Sequence, residues 1–247
     1  MSEKVYITGA SSGIGAALAI EYAKRGATLG ISARRSEKLQ YIAQQCKESG
    51  AADVFTYILD VTNQNNSANT AKEFIAAANG IDIVIANAGV ANSDKISSGE
   101  ATQINQVFST NVLGVTNSII PFVPAMKENV SGKIVIISSI ASFRPIAFHG
   151  GYSASKSAVR MLADSWRMAL KKYNIQLTAI CPGFIVSEMT DENKFPMPFL
   201  LETKDAARKM VKAIDIGKKT YILPWQVKII LYATRWLPTP LYYKIFF

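Results

Sequence analysis

The sequence predicts an α/β fold in a single domain, with a doubly wound parallel sheet of about seven strands and helices on both faces. Apolar segments of strand length recur along the chain, and longer segments with helical periodicity separate most of them. The strand-like segments are apolar throughout, which indicates burial on both faces beneath right-handed βαβ crossovers. The chain has 247 residues, 49% of them hydrophobic, which is enough for one large core.

The predicted elements alternate in chain order. Strands are predicted at residues 5–8, 28–32, 54–59, 81–86, 133–138, 176–180 and 220–223. Helices are predicted at residues 16–25, 37–49, 68–78, 102–126 and 152–173. There is no internal repeat and no linker rich in proline or glycine, but the composition changes at Pro224. We therefore expect residues 1–223 to form the domain and residues 224–247 to form a C-terminal extension that contains a helix.

Composition narrows the classes of function. Cys46 and Cys181 lie far apart, so no disulfide framework is indicated and a reducing compartment is expected. We see no secretory signal, and no apolar run approaches the roughly 20 residues of a membrane-spanning helix. No cluster has metal-ligand spacing. The net charge of +9 does not choose among nucleic acid, anionic lipid and acidic small molecules. We expect a cytoplasmic protein with neither a nucleic-acid partner nor a metal.

A glycine cluster follows the first predicted strand and opens the first predicted helix. It reads Thr8-Gly9-Ala10-Ser11-Ser12-Gly13-Ile14-Gly15. Glycine permits positive φ and close approach of a pyrophosphate, and a helix N-terminus offers unpaired N–H groups to phosphates. A turn between a strand and a helix explains one or two glycines, but hardly three in this context. The residues predicted to bind a dinucleotide here are Gly9, Ser11, Ser12, Gly13, Ile14 and Gly15.

This spacing, T-G-x-x-x-G-x-G, resembles that of the short-chain dehydrogenase/reductase family, and further motifs match in order. Asp60-Val61-Thr62 is similar to the family's motif at the adenine ring, and Asn87-Ala88-Gly89 is similar to the motif that ends its fourth strand. The later matches are Asn111 in N-V-L-G, Ser139 in I-S-S, Tyr152 and Lys156 in Y-x-x-x-K, and Pro182-Gly183 after the sixth strand. The resemblance covers roughly residues 4–223. It implies a Rossmann-type fold, a nicotinamide cofactor bound by these motifs, and oxidoreductase activity.

The end of the second predicted strand bears on which nicotinamide cofactor is bound. NAD enzymes of this class place an acid there for the ribose hydroxyls, whereas a 2′-phosphate repels an acid and favours arginine. This chain has Ala33 at that position, followed by Arg34 and Arg35. A guanidinium presents a planar fork of donors that suits phosphate. The alternative is that both arginines are solvated residues before a helix. The missing acid favours NADP(H), with Arg34 as the principal phosphate ligand and Arg35 as the second.

The resemblance implies catalytic roles for Asn111, Ser139, Tyr152 and Lys156. Reduction of a ketone requires a proton on oxygen, and a tyrosine can supply it once its pKa is lowered from about 10. Lys156 shares a helix face with Tyr152, so its ammonium is expected to lower that pKa. In the family this lysine also binds the nicotinamide ribose, and the serine polarises the carbonyl. The family's asparagine perturbs its helix and holds a water between the lysine and solvent.

The segment after the sixth predicted strand is expected to close over the nicotinamide. Its implied cofactor residues are Pro182, Gly183, Ile185 and Ser187. Ser187 stands where the family commonly has threonine, and serine keeps the hydroxyl. His149, the only histidine, is either a residue of the substrate cleft or a loop residue, and we give it no catalytic role. Cys181 is interpreted as a small core residue.

The lid that the family forms after this segment is apolar here. Its apolar residues are Met189, Phe195, Met197, Phe199 and Leu200. This composition favours a small hydrophobic carbonyl or alcohol substrate, such as a lipid-like, steroid-like or aromatic ketone, over a small charged one.

The C-terminal extension carries an apolar stripe. Trp225, Ile229, Tyr232 and Trp236 share one helical face beside Lys228 and Arg235. Residues 224–247 hold three cations, no acids and seven aromatics, the last four being Tyr242, Tyr243, Phe246 and Phe247. This combination suits peripheral contact with the inner face of a membrane. The alternative is that the stripe packs on its own domain or across a dimer, which is the commoner use of an apolar stripe.

The motifs leave three hypotheses for function. The first is an NADP(H)-dependent oxidoreductase with a hydrophobic substrate. The second is a non-catalytic NADP(H)-binding sensor or scaffold, against which the intact Ser139, Tyr152 and Lys156 argue. The third is reduction of 3-oxoacyl groups on an acidic acyl carrier, which the basic surface would attract. For assembly, the resemblance implies that helices 102–126 and 152–173 pair with their copies in a homodimer, with a tetramer as the alternative.

Overall fold

A parallel sheet forms the centre of the protein in the computed structural model, which describes residues 2–94, 96–191, 197–234, 236–238 and 241. The strands within these ranges are β1 (Lys4–Thr8), β2 (Thr28–Ala33), β3 (Asp53–Ile58), β4 (Ile83–Ala86), β5 (Gly132–Ile137), β6 (Ile175–Pro182) and β7 (Thr220–Leu223). Their order across the sheet is β3-β2-β1-β4-β5-β6-β7, and each neighbouring pair is parallel.

Helices connect most of these strands. They are α1 (Gly13–Ala23), α2 (Ser36–Glu48), α3 (Gln64–Ala78), α4 (Thr102–Phe108), α5 (Gly114–Ile119), α6 (Val123–Glu128), α7 (Gly150–Leu170), α8 (Glu188–Asp191), α9 (Thr203–Asp215) and α10 (Trp225–Thr234). The helix predicted over 102–126 is a helical run in three parts, with a π-turn at Ser109–Leu113 and a 3-10 turn at Ile120–Phe122. The start of α3 lies earlier than predicted, because the side chain of Asn63 accepts the Asn66 N–H and caps the helix.

Two hydrophobic layers hold the helices against the sheet. Side chains of β1 alternate between them, with Val5 and Ile7 in one layer and Tyr6 in the other. The first layer joins α1, α2 and α9 to the sheet through residues such as Leu18, Leu39 and Met210. The second joins α3, α5 and α7 through residues such as Phe74, Ile119 and Val159. Helices therefore cover both faces, and the predicted doubly wound α/β fold is confirmed.

The strand order reverses at β1, and this reversal places the candidate site. β1 pairs with β2 on one side and with β4 on the other. In open α/β sheets, such a reversal leaves a crevice at the carboxyl ends of the strands, where ligands bind. The glycine loop follows β1 and the segment Asn87-Ala88-Gly89 follows β4, so both lie at this crevice.

The C-terminal extension begins with α10, directly after β7. Val227 and Thr234 of this helix are buried, and the Arg144 guanidinium donates to the carbonyls of Thr234 and Leu237. The residues of the predicted stripe are largely exposed in the single chain: Trp225 is 66% exposed, Ile229 57% and Tyr232 55% in α10, and Trp236, beyond the end of α10, is 86% exposed. Which of the predicted alternatives covers them stays a prediction. The predicted residues that lie outside the described ranges are Phe195 of the lid and Arg235, Tyr242, Tyr243, Phe246 and Phe247 of the extension.

Among the described residues, one helical run has the length and mean composition of a membrane-spanning helix, although polar residues interrupt it. It extends over Thr102–Glu128. Its Val115, Ile119 and Phe122 side chains are buried in the layer against the sheet. Packing in the core therefore accounts for the apolar side chains on one face of this run.

Candidate active site

A cleft of about 460 Å³ opens at the predicted crevice. Most of the predicted site residues line it, although they come from distant parts of the chain. They are Gly9, Ser11, Ser12, Gly13, Ile14, Arg34, Arg35, Asp60, Val61, Asn87, Ala88, Gly89, Ser139, Tyr152, Lys156, Pro182, Gly183, Ile185 and Ser187. The other two predicted residues, Gly15 and Asn111, are buried behind the lining.

The glycine loop is packed too closely for side chains at two of its positions. Gly9 has a φ of +66°, and a Cβ there would lie 2.7 Å from the Cα of Ala88. A Cβ on Gly15 would lie 2.4 Å from the carbonyl oxygen of Gly9. The start of α1 therefore meets the cleft as nearly bare backbone, which is the arrangement that binds the phosphates of a dinucleotide. These residues fit the implied nicotinamide cofactor.

Asn87 fastens the glycine loop to the end of β4. Its side-chain amide donates to the carbonyl oxygens of Thr8 at 3.0 Å and Gly9 at 3.1 Å. Its backbone N–H donates to the Thr8 hydroxyl at 3.1 Å. These bonds fix the loop that would hold phosphate, so the contribution of Asn87 to nucleotide binding is largely indirect.

Asp60 is held at the rim of the cleft by its own turn. Its carboxylate accepts from the backbone N–H of Thr62 at 2.9 Å and from the Thr62 hydroxyl at 2.8 Å. Burial opposes ionisation, but these hydrogen bonds, with help from Arg34, lower the pKa of Asp60 on balance. Asp60 is therefore an ionised acceptor at neutral pH.

The two arginines after β2 have different surroundings. The Arg34 side chain is 62% exposed, and its guanidinium lies 3.8 Å from the Asp60 carboxylate. Arg35 reaches the glycine loop and donates to the hydroxyls of Ser11 at 3.0 Å and Ser12 at 2.7 Å. Arg35, which the sequence predicted to be the second phosphate ligand, is thus the arginine in direct contact with the loop.

Tyr152 and Ser139 bring two hydroxyls together inside the cleft. Tyr152 lies in the first turn of α7, and Ser139 follows the end of β5. Both residues line the cleft, and the neighbouring Ser139 hydroxyl acts to lower the pKa of Tyr152. The Ser139 oxygen also accepts from the Ala141 N–H at 3.1 Å, which fixes its position. A carbonyl oxygen placed at this point can accept hydrogen bonds from both hydroxyls.

Lys156 is buried one helical turn after Tyr152, and its ammonium nitrogen lies 5.7 Å from the centre of the tyrosine ring. That nitrogen donates to the carbonyl of Ile137 at 2.9 Å. Burial lowers the pKa of Lys156 to about 8. Burial also raises the pKa of Tyr152, against the opposing effect of the Ser139 hydrogen bond. The pKa of Tyr152 is raised on balance in the polypeptide by itself, because desolvation of the tyrosine dominates, and the expected lowering by Lys156 stays a prediction.

Asn111 supports the catalytic helix from behind. It lies in the π-turn at Ser109–Leu113, so the helix is perturbed at this residue, as the resemblance implies. Its amide nitrogen donates to the Val90 carbonyl at 2.9 Å and to the Ser155 hydroxyl at 3.0 Å, and its oxygen accepts from the Val90 N–H at 2.8 Å. Ser155 in turn donates to the Tyr152 carbonyl at 2.7 Å. Asn111 thus ties the first turns of α7 to the loop after β4.

Part of the cleft lining is apolar. The apolar residues include Val90, Ala91, Ile140, Ile146, Phe184 and Met189. His149 also lines the cleft, with Nδ1 3.0 Å from the Ala147 carbonyl and Nε2 3.4 Å from the Ser93 hydroxyl. It is both a loop residue and a cleft residue, so its two predicted readings apply together. Among the described residues, no group of three or more His, Cys, Asp or Glu could hold a metal.

Sequence reasoning missed two charged residues at the cleft, Lys38 and Glu188. The Glu188 carboxylate lies 2.6 Å from the Arg35 guanidinium and 2.5 Å from the Lys38 ammonium. The Ser12 hydroxyl donates to the same carboxylate at 3.1 Å. The basic run after β2 was visible in the sequence, but Lys38 and Glu188 are 150 residues apart, so no local pattern joins them.

Comparisons with known proteins show which family the chain resembles. The family model described as short chain dehydrogenase matches residues 3–196. An uncharacterized oxidoreductase of Myxococcus xanthus is 36% identical over 236 residues, covering 96% of this chain and 93% of the relative. An 11-beta-hydroxysteroid dehydrogenase-like 2 protein of Arabidopsis thaliana is 33% identical over 232 residues, covering 91% of this chain and 74% of the relative.

Solved structures share the fold. A short chain dehydrogenase/reductase of Burkholderia phymatum in complex with NAD has a TM-score of 0.86 at 22% identity, covering 94% of this chain and 92% of that one. An alcohol dehydrogenase of the archaeon Thermococcus sibiricus complexed with 5-hydroxy-NADP has a TM-score of 0.80 at 25% identity, covering 90% and 96%. Because the two carry different nicotinamide nucleotides, likeness of fold does not select between them.

Proposed function

This chain belongs to the short-chain dehydrogenase/reductase family of oxidoreductases, and we propose that it transfers a hydride between NADP(H) and a hydrophobic ketone or alcohol. The observation that carries the proposal is the convergence of Ser139, Tyr152 and Lys156 on the cleft that the glycine loop also lines. A protein that only binds nucleotide does not need these three side chains at one point. In this proposal, residues 1–223 form the nucleotide-binding and catalytic domain, and residues 224–247 form an extension of it.

The charges at the adenosine end of the cleft support NADP(H) over NAD(H). Ala33 ends β2 where an acid would serve the ribose of NAD(H), and Arg34, Arg35 and Lys38 lie close by. The guanidinium of Arg34 is exposed, and its ion pair with Asp60 is long, at 3.8 Å. An exposed pair of this kind contributes about 0–1 kcal/mol, so Arg34 can exchange it for a phosphate at little cost.

The residues of the cleft can perform the proton chemistry of the proposed reaction. A bound nicotinamide supplies the hydride, or takes it in the reverse direction. The Tyr152 hydroxyl donates its proton to the carbonyl oxygen in reduction and recovers a proton in oxidation. The Ser139 hydroxyl stabilises the negative charge that develops on the same oxygen. The Lys156 ammonium, 5.7 Å from the ring centre, favours the tyrosinate left after proton transfer.

We propose a lipid-like, steroid-like or aromatic ketone, or the matching alcohol, as the substrate. Val90, Ile146, Phe184 and Met189 supply an apolar wall in the cleft that also holds the reacting hydroxyls. Burial of apolar substrate surface against such a wall provides the affinity, while the two hydroxyls fix the orientation. The plant relative has a name of the hydroxysteroid dehydrogenase-like kind, which agrees with a substrate of this class.

The experiment that tests the proposed function is NADPH oxidation by the purified protein with a panel of ketones. The panel contains long-chain, steroid-like and aromatic ketones, a 3-oxoacyl thioester, and small charged keto acids for comparison. We expect turnover with hydrophobic ketones and little with keto acids. Turnover confined to the thioester would favour the acyl-carrier alternative. Binding of NADPH without turnover of any compound would favour the sensor or scaffold alternative.

We propose a homodimer formed by the run α4–α6 and by α7. Large apolar side chains of these helices are exposed in the single chain, at 37% for Phe108, 57% for Leu113, 53% for Ile120, 63% for Met161 and 76% for Met168. Met161 and Met168 are two turns apart on one face of α7. A symmetric pairing of the two helical faces would cover these side chains.

We further propose that the exposed stripe of α10 contacts an anionic membrane surface from the cytoplasmic side. Trp225, Tyr232 and Trp236 are amphipathic rings exposed on one face, and the Lys228 ammonium lies 5.9 Å from the centre of the Tyr232 ring. Residues 224–247 contain no acid, so nothing in the extension repels anionic lipid. Aromatic rings and cations together are suited to the boundary between headgroups and acyl chains.

A further inference from the structure

Glu188 bridges the two sides of the nucleotide cleft. It begins α8 and follows Ser187, in the segment implied to close over the nicotinamide. Its carboxylate is bound by Lys38 at 2.5 Å, by Arg35 at 2.6 Å and by the Ser12 hydroxyl at 3.1 Å. These donors come from α2, the turn before it and the glycine loop. One anion from the substrate side therefore joins three donors on the adenosine side.

These donors form a set that suits a phosphate. Ser12 immediately precedes α1, whose N-terminus offers backbone N–H groups to anions. Arg35 and Lys38 follow β2, at the position where the 2′-phosphate of NADP(H) is proposed to bind. Phosphate and carboxylate oxygens accept the same charge-assisted hydrogen bonds, so they compete for one set of donors. The bonds from Lys38 and Arg35 lower the pKa of Glu188 to about 2, so the competing carboxylate is ionised at neutral pH.

We infer that Glu188 is a specificity-determining residue that occupies the 2′-phosphate subsite as an internal anion, which NADP(H) must displace and NAD(H) need not. The inference rests on the proposed NADP(H) function. Displacement breaks the contacts between α8 and the adenosine side. The neighbouring Ser187 packs over the glycine loop, with its Cβ 3.4 Å from the position of a Cβ on Gly13. Phosphate binding at one end of the cleft is thereby coupled to the segment over the nicotinamide.

The balance of charge gives this competition its direction. The ion pairs at this end of the cleft join the cations Arg34, Arg35 and Lys38 to the anions Asp60 and Glu188. Asp60 forms an ion pair with Arg34, whereas Glu188 forms ion pairs with both Arg35 and Lys38. Glu188 therefore weakens the binding of a 2′-phosphate. When the nucleotide leaves, the carboxylate returns to the same cations and assists release.

The test measures binding of nucleotide fragments, which reports on the subsite without catalysis. Isothermal titration calorimetry compares adenosine 2′,5′-bisphosphate with AMP on the full chain and on Glu188→Gln. We expect the variant to bind the bisphosphate at least about fivefold more tightly and AMP within about twofold of the unaltered protein. The matched control is Glu37→Gln, which removes a carboxylate beside Lys38 in the first turn of α2 and should change neither affinity.

The rate of NADPH release distinguishes displacement of Glu188 from the competing explanation, in which Glu188 holds the bound nucleotide in place. If Glu188 closed over bound nucleotide as a clasp, Glu188→Gln would release NADPH faster in stopped-flow fluorescence; displacement predicts slower release. Equal or weaker bisphosphate binding by Glu188→Gln, with a preference over AMP retained, would overturn the role of Glu188 and leave the proposed function standing. If both proteins bound the bisphosphate no better than AMP, the proposed NADP(H) preference would fall, and this inference with it.

Discussion

Lys156 is an ionisable residue whose buried position disfavours its protonated, charged form. Burial lowers its pKa from the ordinary 10.5 to about 8. Between these values the unfolded chain binds a proton that the folded protein releases, so the free energy of unfolding rises with pH across this window. The destabilisation caused by the buried ammonium is therefore fully present below pH 8 and disappears as the pH approaches 10.5. The residue is retained at the expense of stability, as is common for functional groups.

The first prediction follows from this increase of the free energy of unfolding with pH. Lys156→Met should raise the free energy of unfolding at pH 7 by about 2 kcal/mol, from about 3 kcal/mol of relieved desolvation less about 1 kcal/mol for the bond lost to the Ile137 carbonyl. The gain should vanish near pH 10, since the ammonium is then largely deprotonated in the folded protein. Urea denaturation at both pH values measures it, with Lys47→Met on exposed α2 as the control. A gain of the same size at both pH values would show that packing, not charge, is responsible.

Arg34 gives the second prediction, which concerns the choice of nucleotide. Arg34→Ala should weaken NADPH binding about tenfold or more, because a charge-assisted bond to phosphate contributes roughly 1.5–3 kcal/mol. NADH lacks the 2′-phosphate, so its affinity should change by less than about twofold. Calorimetric titration with both nucleotides measures the effect. Arg25→Ala, which removes a guanidinium paired with Asp215, is the control. Equal losses for the two nucleotides would mean that Arg34 does not read the phosphate.

At the scale of elements, the sequence predicted most of what depends on local pattern. The strands were recognisable because strands such as β1 and β4 are buried on both faces and therefore apolar at consecutive positions. The π-turn at Ser109–Leu113 was implied by the resemblance at Asn111 but not by periodicity, since Asn111 bonds to Val90 and Ser155, which are distant in the chain. Helical periodicity over 102–126 contains no trace of that contact.

The candidate site divides in the same way. The glycine loop and the residues after β4, β5 and β6 are short motifs at strand ends, so a single sequence locates them. The Glu188 bridge joins segments 150 residues apart, and its members are ordinary exposed charges when read locally. The desolvation that raises the pKa of Tyr152 is likewise a property of the folded cleft and cannot be read from the i,i+4 spacing.

The third prediction concerns α10 as an element. Anionic vesicles should bind the protein at low salt, and added salt should weaken the binding by screening. The double variant Trp225→Gln/Trp236→Gln should reduce co-sedimentation at least about fivefold, because both exposed rings are lost from the interface. Ile216→Gln removes an apolar side chain that is 70% exposed elsewhere and serves as the control. Equal binding by the double variant and the control would contradict lipid contact by the stripe.

In the proposed function, the two sides of the β1–β4 reversal have separate roles. The β1–β3 half holds the glycine loop and the basic residues Arg34, Arg35 and Lys38, which are proposed to bind phosphate. The β4–β7 half holds Ser139 and the helix of Tyr152 and Lys156, which are proposed to act at the reacting carbonyl. Because one continuous sheet carries both halves, the distance between phosphate site and catalytic hydroxyls is fixed by the fold.

The fourth prediction is the assembly of whole chains. The protein should sediment as a dimer at micromolar concentration, with the exposed faces of the α4–α6 run and α7 buried between copies. Met161→Glu/Met168→Glu should shift it to a monomer, because the interface would then bury like charges around the two-fold axis. Ile216→Glu, an exposed apolar position on another surface, should leave the dimer intact. An unaltered protein that is monomeric at this concentration would refute the pairing.

The most direct test of the central claim is transfer of deuterium from NADPH labelled on both faces of C4 to a hydrophobic ketone, followed by mass spectrometry of the alcohol. We predict one deuterium in the product with the unaltered protein. With Tyr152→Phe, product should fall by about 10²-fold or more, because the proton donor is lost, while NADPH binding stays within about twofold. Tyr41→Phe, on an exposed tyrosine of α2, should behave as the unaltered protein. Substantial transfer by Tyr152→Phe, or tight NADPH binding with no transfer to any ketone, would contradict the account.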